Sequence, residues 1–254
     1  MEPVEFTYER GEATMVCNDF SGPELRTFVL IHGIGMGRIV FTEVAQVLRG
    51  HGRVLVPDLP GFGGSPEPGT AATIEETAEL IAHFIEDRAA APVTLVGHSM
   101  GTQVVAELAA RYPRLIDTLA LIAPTINRHE RSAAQQAARM VQDLSGESPK
   151  VLFAGLREYV QTSPIWFANK LRLMLDHHLE EVCPRVQTPT LVLRGETDRV
   201  CPRNWVQEVT AALPDAEMRE IPARGHEAII KSPEPVASMV LTHVAQRGLS
   251  PNPS

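Results

Sequence analysis

The sequence predicts an α/β fold built on one mostly parallel sheet with helices on both faces. Three observations carry that prediction. Short apolar, β-branched runs alternate with helical patterns along most of the chain, as in a parallel sheet wrapped by crossover helices. The length, 254 residues, fits one large domain of this class. The composition, 44% hydrophobic and 21% charged, is that of an ordinary globular protein. A chain of this size buries about three-quarters of its unfolded surface, so it needs no disulfide or metal to hold a core.

The elements follow in order. Residues 4–8 and 13–17 read as an opening hairpin, and 26–31 (RTFVLI) as a buried strand. Further strands are expected over 53–57, 93–96, 118–122, 190–193 and 217–221. Thr73 and Glu76 form a capping-box pair, and Ile74, Ala78, Ile81 and Ile85 continue at helical spacing. A helix starts straight after Ser99, marked by Met100, Val104, Val105 and Leu108. Pro202 suits the first turn of a helix running to about Leu213. One stretch breaks the alternation: residues 125–185 show helical patterns and no strand. Ser148-Pro149 and Ser163-Pro164 each read as an N-cap followed by a helical first-turn proline. The expected organisation is a core of residues 1–124 and 186–247, a helical cap insert over 125–185, and a disordered tail over 248–254.

The chemistry centres on Gly97-His98-Ser99-Met100-Gly101, placed between a strand and a helix. A turn there lifts the serine hydroxyl clear of the sheet in a strained conformation, and only glycine fits at the flanks. The helix N-terminus below offers free N–H groups and the positive end of a dipole to a developing oxyanion. A serine needs a base, and the base needs orienting. Of the nine histidines, His226 lies in a glycine-containing loop after a late strand and before a helix. That is the carboxyl edge of the sheet, where such folds place their sites. His51, His83, His129, His177, His178 and His243 sit in helical or surface contexts and read as solvated, whereas His32, at a strand end, reads as a loop brace. For the acid, the loop after 190–193 offers Glu196 and Asp198. Asp198 lies deeper in the loop and is preferred. The order Ser99, Asp198, His226 along the chain is one that strand-ordered serine hydrolases use. His32-Gly33-Ile34-Gly35 occupies the place of a second oxyanion loop, which assigns the donors to the backbone N–H groups of Ile34 and Met100. Asp58 reads as structural.

Several classes are excluded. A net charge of −8 argues against nucleic acid and anionic membrane as partners. Three cysteines, with no Cys-x-x-Cys pair, give neither a disulfide framework nor a zinc site. Gly61-Phe62-Gly63-Gly64 lacks the Lys-Ser/Thr of a phosphate loop. No metal and no cofactor are expected, and the expected partner is a small-molecule substrate. No signal peptide or spanning segment is read, which makes the cytoplasm the expected compartment.

Five segments, VLIHGIG, VLVPDLPGFGGS, VTLVGHSMG, LVLRGETDRVCP and IPARGHEAIIKSPEPVA, jointly resemble the α/β-hydrolase family from end to end. The resemblance implies the fold and a serine triad, and says little of substrate. Ser99 stands where epoxide hydrolases and haloalkane dehalogenases of this fold carry aspartate. The His-Gly-Gly-Gly and Gly-Gly-Ser-Trp-Gly patterns of two other branches are absent, and Ala123-Pro124 leaves no acid after the preceding strand. Carboxylesterase, thioesterase, lactonase, carbon–carbon bond hydrolase and cofactor-free perhydrolase remain, beside a ligand-binding receptor on the same fold. Residues 165–175 carry many apolar side chains, and Trp166 and Met174 among them are expected either to line the substrate cleft or to pack the insert onto the core.

Overall fold

The computed structural model describes residues 2–144 and 162–247. Its strands, β1 (Val4–Arg10), β2 (Ala13–Phe20), β3 (Thr27–Ile31), β4 (Arg53–Pro57), β5 (Val93–His98), β6 (Ile116–Ile122), β7 (Thr190–Gly195) and β8 (Ala216–Ile221), form one sheet in the order β1-β2-β4-β3-β5-β6-β7-β8. The hairpin β1–β2 is antiparallel, as is β2 against β4. From β4 onward every pair is parallel. All expected strands are present, most of them a residue or two longer.

Every residue of β3, β5, β6 and β7 is buried. Both faces of those strands are covered, which is why their sequences read as continuous apolar runs. Successive side chains of β3 go to opposite cores. Phe28 and Leu30 join Val44, Leu48, Val236 and Val240 of α1 (Thr42–Leu48) and α9 (Pro233–Arg247). Val29 and Ile31 join the opposite layer, with α2 (Ile74–Arg88), α3 (Met100–Arg111) and α7 (Arg203–Ala212). The capping box of α2 forms as expected: Glu76 N donates to Thr73 Oγ1 at 3.1 Å and Thr73 N to Glu76 Oε2 at 2.8 Å. Pro202 is the N-cap of α7, one position before the expected first turn, with an extended ψ of 148°.

Between β6 and β7 lie α4 (Ala133–Leu144), α5 (Pro164–Asp176) and the short α6 (Leu179–Val182), with no strand among the described residues. Ser163 caps α5, its Oγ accepting from Trp166 N at 3.2 Å, with Pro164 in the first turn. The Ser148-Pro149 cap and the 248–254 tail lie outside the described residues. The short α8 (Ala228–Lys231) precedes α9.

The site is positioned by β3. Its neighbours are β4 on one side and β5 on the other, so the connections leaving β3 and β5 diverge and open a crevice at their carboxyl ends. The register sets Ile31 opposite Gly97, His98 opposite Ile122 and Gly195 opposite Ile221. The loops after β3, β5, β7 and β8 therefore emerge level on one edge.

Candidate active site

Ser99 is the turn between β5 and α3. Its φ of 53° and ψ of −120° fall in the left-handed half of the map, which a residue with a Cβ enters only under strain. Local bonds hold it there. Ser99 N donates to Ile122 O at 3.0 Å, and Ser99 O accepts from Thr102 N at 2.9 Å and Thr102 Oγ1 at 2.6 Å. The flanking glycines are required by crowding: a Cβ on Gly97 would meet the carbonyl of Gly101, and one on Gly101 the carbonyl of Ile31.

His226 lies in the loop after β8, and its Nε2 is 3.1 Å from Ser99 Oγ. Its Nδ1 is 3.0 Å from Asp198 Oδ2, in the loop after β7. The other Asp198 oxygen accepts from Val200 N at 2.9 Å and Cys201 N at 2.8 Å. A carboxylate held by two N–H donors can only accept, so the imidazole proton sits on Nδ1. That leaves the Nε2 lone pair facing the serine hydroxyl. Both side chains are nearly closed to solvent, at 5% and 0% exposure. Burial is the largest influence on His226 and pushes its pKa down. The carboxylates of Asp198, then Asp143 and Glu227, outweigh it and carry the pKa above the ordinary value. Glu196, the other candidate acid, is exposed and accepts from Ala223 N at 2.8 Å, so it braces the neighbouring loop.

The loop expected to supply the second oxyanion donor is organised by His32. Leu59 N donates to His32 Nε2 at 2.9 Å, which fixes the proton on Nδ1, and Nδ1 donates to Gly33 O at 2.8 Å. Met36 N reaches the same carbonyl at 3.3 Å. Gly33 C=O and Ile34 N–H share one peptide and point opposite ways in a trans bond, so anchoring the carbonyl aims the Ile34 N–H away from these partners. A Cβ on Gly33 would lie 2.9 Å from Ser99 Cβ, so this backbone runs against the serine. Met100, the other expected donor, opens α3 directly after it. Burial holds His32 below its usual pKa, in keeping with a neutral ring that accepts at Nε2.

A family model described as the alpha/beta hydrolase family matches residues 28–239. The chain belongs to the alpha/beta hydrolase family. A pimeloyl-[acyl-carrier protein] methyl ester esterase of Chromobacterium violaceum is 26% identical, over 88% of this chain and 94% of its own. A 2-hydroxy-6-oxo-6-(2'-aminophenyl)hexa-2,4-dienoic acid hydrolase of Metapseudomonas resinovorans is 25% identical, over 86% of this chain and 84% of its own. Among solved structures, a thermophilic esterase from Thermogutta terrifontis superposes with a TM-score of 0.81 at 22% identity, over 98% of this chain and 100% of its own.

In this α/β hydrolase the glycine-rich loop after β4 is held by Asp58. Its buried carboxylate pairs with Arg38 and accepts from Gly64 N at 2.7 Å, while Ser65 Oγ donates to its carbonyl at 2.8 Å. Two histidines read as solvated are in fact buried. His177 Nε2 is 3.2 Å from Glu107, and His243 Nδ1 is 3.0 Å from Glu217. Helical spacing alone did not show that acids on other elements face them. Trp166 and Met174 are buried, at 5% and 4% exposure. Trp166 stacks its indole edge onto Gly61, where a Cβ would overlap Nε1. The Met174 carbonyl accepts from Gln103 Nε2 at 2.9 Å. Neither contact involves Ser99 or His226. Trp166 also borders a groove of about 640 Å³ between α5 and residues 67–71, with Leu173, Asn169 and Arg172 on its wall.

Two neighbours of the site were given no role of their own by the sequence reading. His98, beside Ser99, donates from Nε2 to His226 O at 3.0 Å, and burial, then the adjacent His226, push its pKa down to about 3. Asp143 reaches the base loop from α4. His98 was legible as a member of the turn motif, whereas nothing in the spacing marked Asp143. Cys201 is buried, with Sγ 3.8 Å from His226 Nδ1. Two groups of side chains come near enough to share an ion among the described residues: Asp198 with Cys201 and His226, and Glu107 with Glu75 and His177. In both, the carboxylate of Asp198 or Glu107 is already engaged by hydrogen bonds and ion pairs. Among the described residues no helix is long and apolar enough to cross a membrane.

Proposed function

We propose that the protein is a serine hydrolase that cleaves an ester-like bond of a small apolar substrate (a carboxylic ester, thioester or lactone) through an acyl-enzyme on Ser99. The observation that carries this reading is the unbroken chain from Ser99 Oγ through His226 to Asp198, at 3.1 Å and 3.0 Å. As Oγ attacks the carbonyl carbon, its proton passes to His226 Nε2, and the carbonyl oxygen takes up negative charge. The N–H groups of Ile34 and Met100 face that charge. Asp198 stabilises the imidazolium without taking its proton. His226 gives the proton to the leaving group, then draws one from water, which attacks the acyl carbon and frees Ser99. Each step balances with these residues alone, so the mechanism calls for no cofactor. Residues 125–185 serve as a cap, and Trp166 and Met174 on it shape the acyl or alcohol preference.

The relative acting on a 2-hydroxy-6-oxo dienoic acid favours a second reading: carbon–carbon bond hydrolysis by the same triad. A substrate panel separates the two. Nitrophenyl esters of short acyl chains are expected to be turned over, with turnover lost in Ser99→Ala. Cleavage of a dienoate with no esterase activity would favour the second reading. Esterase activity that survives Ser99→Ala would refute both.

A further inference from the structure

Asp143 belongs to α4, in the segment between β6 and β7, yet its carboxylate bonds to both loops that carry the other two members of the triad. Oδ1 accepts from Arg199 N at 2.9 Å, one residue past Asp198. Oδ2 accepts from His226 N at 3.0 Å, the backbone of the base itself. The fit is close: a Cβ on Gly225 would lie 3.0 Å from one Asp143 oxygen and 3.3 Å from the other, so glycine before the base admits the carboxylate. The two loops leave neighbouring strands, β7 and β8, and their separation at the tips sets where Nε2 stands relative to Ser99 Oγ. We propose that Asp143 is a positioning residue of the triad, delivered by the helical insert, whose carboxylate clamps the acid loop to the base loop and keeps His226 in register with Ser99.

The clamp requires a carboxylate. Two N–H donors approach two different oxygens, and an amide offers one acceptor and turns an NH₂ toward the second donor. The charge has its own consequence. The groups facing His226 are Asp198 and Cys201 from the acid loop, His98 from the end of β5, Glu227 beside it in the chain and Asp143 from α4. Of the carboxylates, Asp143 favours the imidazolium next after Asp198. Removing its charge leaves the base neutral at lower pH.

This inference rests on the triad reading, and the experiment separates the two. Wild type, Asp143→Asn, Asp143→Ala and, as a control on the same helix, Val141→Ala (a side chain 67% exposed) are purified and checked for folded circular dichroism. Fluorophosphonate labelling and the pH dependence of kcat/KM on a nitrophenyl ester are then measured. In Asp143→Asn the plateau of kcat/KM is expected to fall about tenfold or more, as for small misplacements of a catalytic group. Its acid limb is expected to move to lower pH, the direction for loss of a nearby negative charge. Val141→Ala should match wild type. An unmoved acid limb in a folded, active Asp143→Asn overturns the proposal, whether or not the rate falls, because a merely structural contact would give that result. A wild type that is not labelled at Ser99 overturns the triad reading and the clamp with it. Labelling of Ser99 with an unchanged Asp143→Asn overturns the clamp alone.

Discussion

His226 has one N–H and one lone pair, and Asp198 decides which faces Ser99. Its Oδ1 is fixed by Val200 N and Cys201 N, so Oδ2 presents an acceptor and nothing else to Nδ1. In Asp198→Asn the carbonyl would stay on Val200 N and Cys201 N and the NH₂ would face Nδ1, favouring the wrong tautomer. The expected loss in kcat is as much as ~10⁴-fold, the size of the same change in serine proteases. Glu196→Gln, which alters only a brace to Ala223 N, should lose little. The reverse ranking in steady-state kinetics would make Glu196 the acid. The pH profile follows with its sign. The proposed mechanism uses neutral His226, whose pKa is raised, so kcat/KM should be low below that pKa and climb with pH through a midpoint above the ordinary ~6.5. In Asp198→Asn, with the strongest raising influence gone, residual activity should climb at lower pH. A limb that moves upward in a pH titration of the variant would contradict the account. That Asp198 rather than Glu196 stands beside His226 was legible because depth in the loop tracks proximity to the following helix. The burial of His177 and His243 was not, since it depends on Glu107 and Glu217 from elements far away in sequence.

The turn at Ser99 needs the helix below it. All of α3 from Met100 to Ala109 is buried, so the N-terminus that backs the serine is held by packing on every side. The strand and helix assignments were legible for the same reason that they are stable: fully buried strands read as apolar runs, and α2 carries its cap signals at the end where they act. The insert was legible only as helical. Its apolar residues over 165–175 exceed one stripe, and periodicity cannot say which neighbour each face meets. In the fold Trp166 closes over Gly61, which has a φ of +81°, so indole and glycine are matched in shape. Trp166→Ala should therefore lower the unfolding free energy by about 3 kcal/mol, the low end for loss of a buried aromatic side chain. Urea denaturation measures it, and a cost near zero would show that the indole packs on nothing that matters. If the cap also sets acyl preference, the same variant and Met174→Ala should change the chain-length profile of nitrophenyl esters. An unchanged profile with lowered stability would leave both residues as packing alone.

Across the sheet, the residues that meet at the site come from positions 32–36, 98–100, 196–201 and 222–226, each at or just past the end of a parallel strand. Parallel strands with level carboxyl ends are what bring segments so distant in sequence to one edge. This explains why the candidate triad could be read from sequence: once each motif is assigned to a strand end, the topology leaves little choice of neighbours. Asp143 shows where that reasoning stops, because an insert between strands is not bound to the sheet's register. The central claim is that Ser99 is a nucleophile activated by His226. Mass spectrometry after treatment with a fluorophosphonate probe tests it most directly. The account predicts a single phosphonylated site, Ser99, with labelling lost in Ser99→Ala and strongly slowed in His226→Ala. Folded protein that takes up no label, or carries it on another residue, would contradict it.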